Sequence, residues 1–279
     1  MAVDYDVLYN PRLTVSNFQE VFQRWAADSQ RARAAADCVL DVPYGADETE
    51  KLDVFRAQGA SRALLVFIHG GYWRSLDKRD FSFIAPAFTR AGVTVAIPNY
   101  ALCPKVTVED IVRQMLQATA WLYRNGVNFG APRNQVYVAG HSAGGHLTAM
   151  MLAAMWPVYA ADLPKTVVAG GLSISGVYDL AEIAKTPSIN IDVRLNERTA
   201  PKVSPIIYPP ATNAPLYTAV GSDENEGFHI QNRLIGKKWK AVLKGDIPCA
   251  GDNHFTVLDR LITPGSSLHS GTLAMMGIR

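Results

Sequence analysis

The chain has 279 residues, of which 48% are hydrophobic and 19% charged, and its formal net charge is +2. That apolar share is enough to build a large buried core and excludes a disordered chain. So mild a charge, without a basic stripe, argues against nucleic acid as a partner. The start, Met1-Ala2-Val3-Asp4-Tyr5-Asp6, lacks the charged-then-apolar order of a signal peptide. No apolar run approaches the ~18 residues of a membrane span, so a cytoplasmic protein without a membrane partner is expected. Residues 1–35 are expected to form an N-terminal helical segment packed on the main domain, with Phe18, Val21, Phe22 and Trp25 on one face behind a cap at Ser16. Cys38–Val42 and Leu52–Phe55 alternate as strands near a sheet edge do, whereas Ala63–Ile68, Val93–Ile97, Gln135–Ala139, Val167–Ser173 and Leu216–Val220 are apolar runs of the kind buried on both faces. Helical patterns occupy 79–91, 108–125 and 144–156. This order predicts an α/β domain over 36–262, with a mostly parallel sheet flanked by helices. Within it, the stretch 184–214, rich in Pro, Asn and Thr, is expected to be a small cap or lid. Residues 263–279, with Gly-Ser-Ser, Gly-Thr and a further Gly, are expected to be a loosely ordered tail.

Residues 140–144 are Gly-His-Ser-Ala-Gly, between the run Val136–Ala139 and the apolar helical stretch after Gly145. A serine there stands on a turn too tight for side chains at its flanks. Its hydroxyl is lifted above the sheet edge, and the N–H of Ala143 points with the helix N-terminus at developing negative charge. Ser142 is thereby the candidate nucleophile. His69-Gly70-Gly71-Tyr72-Trp73 follows the strand Ala63–Ile68. Glycines there let backbone N–H groups approach a carbonyl oxygen, so Gly70, Gly71 and Ala143 are the expected oxyanion donors. His69 is expected to organise this loop. Tyr72 and Trp73 either line a pocket for a planar substrate or pack the loop.

The strand–serine–helix arrangement resembles that of the α/β-hydrolase fold, in which the acid follows the serine and the histidine comes last. Of six histidines, His69, His141 and His146 precede or adjoin the serine, His229 lies on an apparently solvent-facing helix, and His269 lies in the expected tail. His254, on a polar loop leading into Phe255–Leu261, is the candidate base. The loop after Leu216–Val220 offers Glu224 and Asp223 as acids; the common three-residue offset from the strand-end glycine favours Glu224. Asp179 is a lesser alternative. The generic mechanism requires no metal or organic cofactor. His141 and His146 fall outside the i, i+4 register of a helical metal site, and the three cysteines are too dispersed for a disulfide framework or a zinc site.

Together, His-Gly-Gly-Tyr-Trp at 69–73, Asn99-Tyr100-Ala101-Leu102-Cys103-Pro104, Gly-His-Ser-Ala-Gly-Gly-His at 140–146, Asn253-His254-Phe255 and Tyr9-Asn10-Pro11-Arg12 resemble kynurenine formamidases (arylformamidases) and their bacterial relatives. The resemblance implies a serine hydrolase that removes a small acyl group, formyl in N-formylkynurenine, from an aryl amide through an acyl-enzyme. It implies a small-molecule amide or ester substrate, with Tyr72, Trp73 and Tyr100 available to stack an aromatic ring. Carboxylester hydrolysis uses the same machinery and is the alternative. A hydrolase-like binding protein without activity is disfavoured, because serine, histidine and oxyanion glycines are all present. The family's Glu-Phe pair and Arg-Gln after the acid loop are replaced here by Glu226-Gly227-Phe228-His229-Ile230-Gln231.

Overall fold

The computed structural model describes residues 3–278. Eight strands form one sheet in the order β1-β2-β4-β3-β5-β6-β7-β8. They are β1 (Cys38–Pro43), β2 (Lys51–Phe55), β3 (Ala63–Ile68), β4 (Val93–Pro98), β5 (Val136–His141), β6 (Gly170–Ile174), β7 (Leu216–Gly221) and β8 (Leu243–Cys249). β2 runs antiparallel to both β1 and β4, and the pairings from β4 through β8 are all parallel.

Residues of β3, β4 and β5 are buried throughout, as central parallel strands covered on both faces must be. The pleat divides them: Leu64, Val66 and Ile68 join one apolar cluster, and Leu65 and Phe67 join the other. The first cluster includes α4 (Val108–Asn125), α5 (Ala143–Ala153) and α9 (Glu226–Lys238); the second includes α2 (Phe18–Ala35), α3 (Ala85–Thr89), α10 (Val257–Ile262) and α11 (Ser267–Met275). α4 starts at a capping box in which Thr107 and Asp110 satisfy each other's backbone N–H. Val21, Trp25, Ser29 and Ala32 make the buried stripe of α2. The remaining helices are short: α1 (Tyr5–Tyr9), α6 (Trp156–Tyr159), α7 (Leu180–Ile183) and α8 (Pro187–Val193).

Several expectations are corrected here. β8 has no counterpart among the expected runs, because Lys244, Gly245, Asp246 and Pro248 obscure its alternation of half-buried and exposed positions. The helical pattern at 79–91 is a 3-10 segment, Lys78–Ile84, followed by the short α3. The expected loose tail instead contains α11, capped by Ser266 Oγ, with Leu268 wholly buried and Met275, Met276 and Ile278 nearly so. Its glycines and serines mark a helix cap and a close approach to the sheet. Among these glycines, a side chain at Gly271 would meet Ile247 Cδ1 at 2.6 Å.

Candidate active site

Four loops at the carboxyl ends of parallel strands converge, the usual place for a site in such a sheet. The β5–α5 turn holds Ser142 at φ +58°, ψ −117°, a conformation that costs on the order of 1–3 kcal/mol. The Ser142 N–H donates to Ile174 O at 2.8 Å, and its carbonyl accepts from His146 N at 3.1 Å. The flanking glycines are sterically required. A Cβ at Gly140 would lie 2.2 Å from Gly144 O, and one at Gly144 would lie 1.9 Å from Ile68 O.

The loop after β3 is bent by positive φ at Gly71 (+110°), Tyr72 (+49°), Trp73 (+55°) and Leu76 (+73°). A Cβ at Gly70 would come within 2.8 Å of His141 O, and one at Gly71 within 2.1 Å of Ser75 O. Among the described residues, the N–H groups of Gly70, Gly71 and Ala143 donate to no protein acceptor. His69 holds the loop from beneath. Its Nδ1–H donates to Gly70 O at 2.8 Å, and its ring stacks on Tyr100 at 4.2 Å. Burial pushes its pKa below the usual histidine value.

His254 follows β8 on a turn fixed by Asn253 Oδ1, which accepts from the N–H groups of Phe255 and Thr256 at 2.9 and 3.1 Å. Its ring packs against Phe228 at 4.3 Å and His141 at 4.7 Å. His254 Nδ1–H donates to Glu224 Oε2 at 2.6 Å. A carboxylate only accepts, so the tautomer follows and Nε2 carries the lone pair. The other oxygen of Glu224 accepts from Ser175 Oγ–H at 2.5 Å and Gly221 N–H at 2.7 Å. Asp223 points away: it is exposed and accepts from Ser222 Oγ at 2.8 Å. Asp179 caps α7 through Ala181 N–H. His141 Nε2–H donates to the backbone carbonyl of His254 at 2.7 Å, and burial together with His254 holds its pKa well below the usual value.

Ser142 and His254 face one small cavity of about 30 Å³, shared with Gly71, Tyr72 and His141. Its other walls differ from those expected. Trp73 and Tyr100 are buried in the core and do not line it, because Trp73 turns onto His146 and Tyr100 bonds back to His69 O. The aromatic walls beside Tyr72 are Phe22, Trp25 and Phe255. Two of these belong to the N-terminal segment, whose helical spacing made them visible only as a packing face. Asn10, Pro11 and Arg12 also line the cavity, and none of residues 184–214 does. That stretch reaches the lining through Arg74, which Asp192 and Ser188 O hold at 2.6 and 2.7 Å, and through Asn10, whose Nδ2–H donates to Ser188 Oγ at 3.0 Å. His229 is half-exposed on α9; His269 is not in a free tail but buried on α11, stacked on Phe88.

This strand order, with a serine elbow after the central strand and an acid and a histidine on later strand-end loops, defines an α/β-hydrolase. The sequence profile of the α/β-hydrolase fold matches residues 65–235. Kynurenine formamidase of Salmo salar is 30% identical over 261 residues, covering 89% of this chain and 85% of that protein. Kynurenine formamidase of Danio rerio is 29% identical over 258 residues, with the same coverage of 89% and 85%. A crystal structure from Silicibacter sp. TM1040, provisionally termed a thioesterase, superposes with a TM-score of 0.85 at 29% identity over 96% of this chain and 98% of the other. The chain belongs to the kynurenine formamidase family of α/β-hydrolases, and it is a hydrolase.

Proposed function

We propose that the protein is a serine hydrolase that removes a small acyl group, formyl in the first instance, from an aryl amide through an acyl-enzyme. The observation that carries this reading is the His254–Glu224 bond at 2.6 Å beside a cavity that Ser142 and His254 share. Ser142 Oγ attacks the carbonyl while His254 Nε2 takes its proton. The oxyanion forms against the N–H groups of Gly70, Gly71 and Ala143, and each such donor is worth about 3–4 kcal/mol in the transition state. When the C–N bond breaks, His254 returns the proton to the departing arylamine. Water then attacks the acyl-serine ester and gives a proton to His254, which passes it back to Ser142 Oγ, and formate leaves. Glu224 fixes the imidazole tautomer and stabilises the imidazolium.

The kynurenine formamidases that match 89% of this chain support a formyl substrate over larger acyl groups. The aromatic walls suit an aryl leaving group. Ester cleavage is the second reading, favoured by the likeness to a provisional thioesterase.

The test is hydrolysis of N-formylkynurenine beside p-nitrophenyl acetate, by wild type and Ser142→Ala. Turnover of the formyl substrate, abolished in the variant, supports the formamidase reading. Cleavage of the ester alone moves the protein to the esterases. Unchanged activity in Ser142→Ala removes the serine mechanism.

A further inference from the structure

The cavity at Ser142 contains a guanidinium for which the proposed mechanism has no use. Arg12, on the 3-10 turn Pro11–Leu13, lines it together with Ser142, His254 and Gly71. No Asp or Glu is among the lining residues. Arg12 Nη2 donates to Ser75 Oγ at 2.9 Å, and its guanidinium lies 5.5 Å from the ring centroid of Phe22 and 5.9 Å from that of Phe18. Among the described residues it has no carboxylate partner. Of the five N–H donors of a guanidinium, only the one on Ser75 has a partner among the described residues.

Its neighbour Arg74 is different. That second cation of the lining is neutralised by Asp192 at 2.6 Å. Burial and the nearby charge of Arg74 both pull the pKa of Arg12 down, so its surroundings disfavour the cation they contain. An unpaired, half-buried charge costs free energy that a bound anion recovers. The planar fork of arginine matches a carboxylate through two parallel N–H bonds, and the adjoining walls are the rings of Phe22, Trp25, Tyr72 and Phe255.

We propose that Arg12 is a specificity-determining residue that binds a carboxylate carried on the aromatic leaving group of the substrate. This rests on Ser142 being the nucleophile in the same cavity. The N-terminal turn thus supplies a substrate contact, and the catalytic loops supply the chemistry. The competing structural role is bracing: through Ser75, whose Oγ–H donates to Gly71 O at 3.0 Å, Arg12 could act on the oxyanion loop alone.

The experiment compares kcat and KM for matched pairs, formanilide against carboxylated formanilides and phenyl acetate against carboxylated phenyl acetates. It uses wild type, Arg12→Gln, Arg12→Lys, Ser75→Ala and Ser142→Ala, and adds calorimetric binding of 3-phenylpropanoate and its amide to wild type and Arg12→Gln. Wild type is expected to prefer the carboxylated member about 10- to 100-fold, mainly in KM. Arg12→Gln removes that preference and the preferential binding of the acid over the amide, while Arg12→Lys keeps part of both. Absence of any wild-type preference overturns the proposal. So does an equal loss on both members in Arg12→Gln, matched by Ser75→Ala, which assigns Arg12 to bracing. Turnover by Ser142→Ala at the wild-type rate defeats the nucleophile assignment, a result separate from the carboxylate preference in binding.

Discussion

Glu224 Oε2 accepts a hydrogen bond from His254 Nδ1 at 2.6 Å, and the two side chains are 0% and 3% exposed. Asp223, one residue earlier, is on the surface. Glu224→Gln should lower kcat by about 10³- to 10⁴-fold, because the amide no longer fixes the tautomer or stabilises the imidazolium. Asp223→Asn should stay within about twofold of wild type, as an exposed substitution away from the site does. Steady-state kinetics on both variants check this, and the reverse pattern would give Asp223 the role of acid.

At Gly71 the backbone has φ +110°, and an added Cβ would lie 2.1 Å from Ser75 O. Gly71→Ala must therefore move the loop and its N–H. The expected result is a fall in kcat of about 100-fold, the effect of losing one oxyanion donor. A kcat equal to that of wild type, in a variant with an unaltered melting temperature, would exclude Gly71 as a donor.

Burial pulls His146 from the ordinary value of 6.5 to about 4, while its Nε2–H donates to Val203 O at 2.6 Å. The unfolded chain therefore takes a proton near pH 6.5 that the folded protein refuses until about pH 4. Stability rises with pH across that window and is lost as pH falls through it. His69 and His141 are shifted in the same direction. At pH 5 the loss from His146 alone is about 2 kcal/mol. Urea midpoints at pH 7.5 and pH 5 read this directly, and His146→Gln should show a shallower dependence. A midpoint that does not change with pH is the contrary result.

Leu268 on α11 has no exposed surface and packs with Leu258 and Leu261 in the second apolar cluster. Leu268→Ala should cost about 2–5 kcal/mol through lost burial and the cavity left behind. Urea unfolding of the variant measures it. A loss below about 0.5 kcal/mol, the range of surface positions, would mean that the C-terminal helix contributes little.

Much of the site lies in short contiguous motifs. Gly140 to Gly144 announces its turn because the backbone approaches to within a clash of Ile68 O and Gly144 O. Gly70 and Gly71 announce theirs by the same crowding. The central strands are legible because burial on both faces makes them apolar throughout. β8 is not, since at the sheet edge its exposed positions accept Lys244 and Asp246.

Which of two adjacent acids meets His254 depends on where the turn after β7 points each side chain, and only packing against Ser175, Gly221 and His254 decided it for Glu224. The walls of the cavity were equally hidden. Trp73 and Tyr100 stand in the motifs yet face the core, whereas Phe22 and Trp25 come from a distant helix marked only by its apolar stripe, and Arg12 from a turn whose motif gave no sign of a place in the cavity. Local sterics write themselves into neighbouring residues, so the sequence by itself determined the serine elbow, the tight Gly70-Gly71 loop and the α/β sheet. Contacts between segments far apart in the chain leave no such local trace, so tertiary structure alone decided the aromatic walls and the unpaired guanidinium, and it separated Glu224, which the offset from Gly221 favoured, from Asp223.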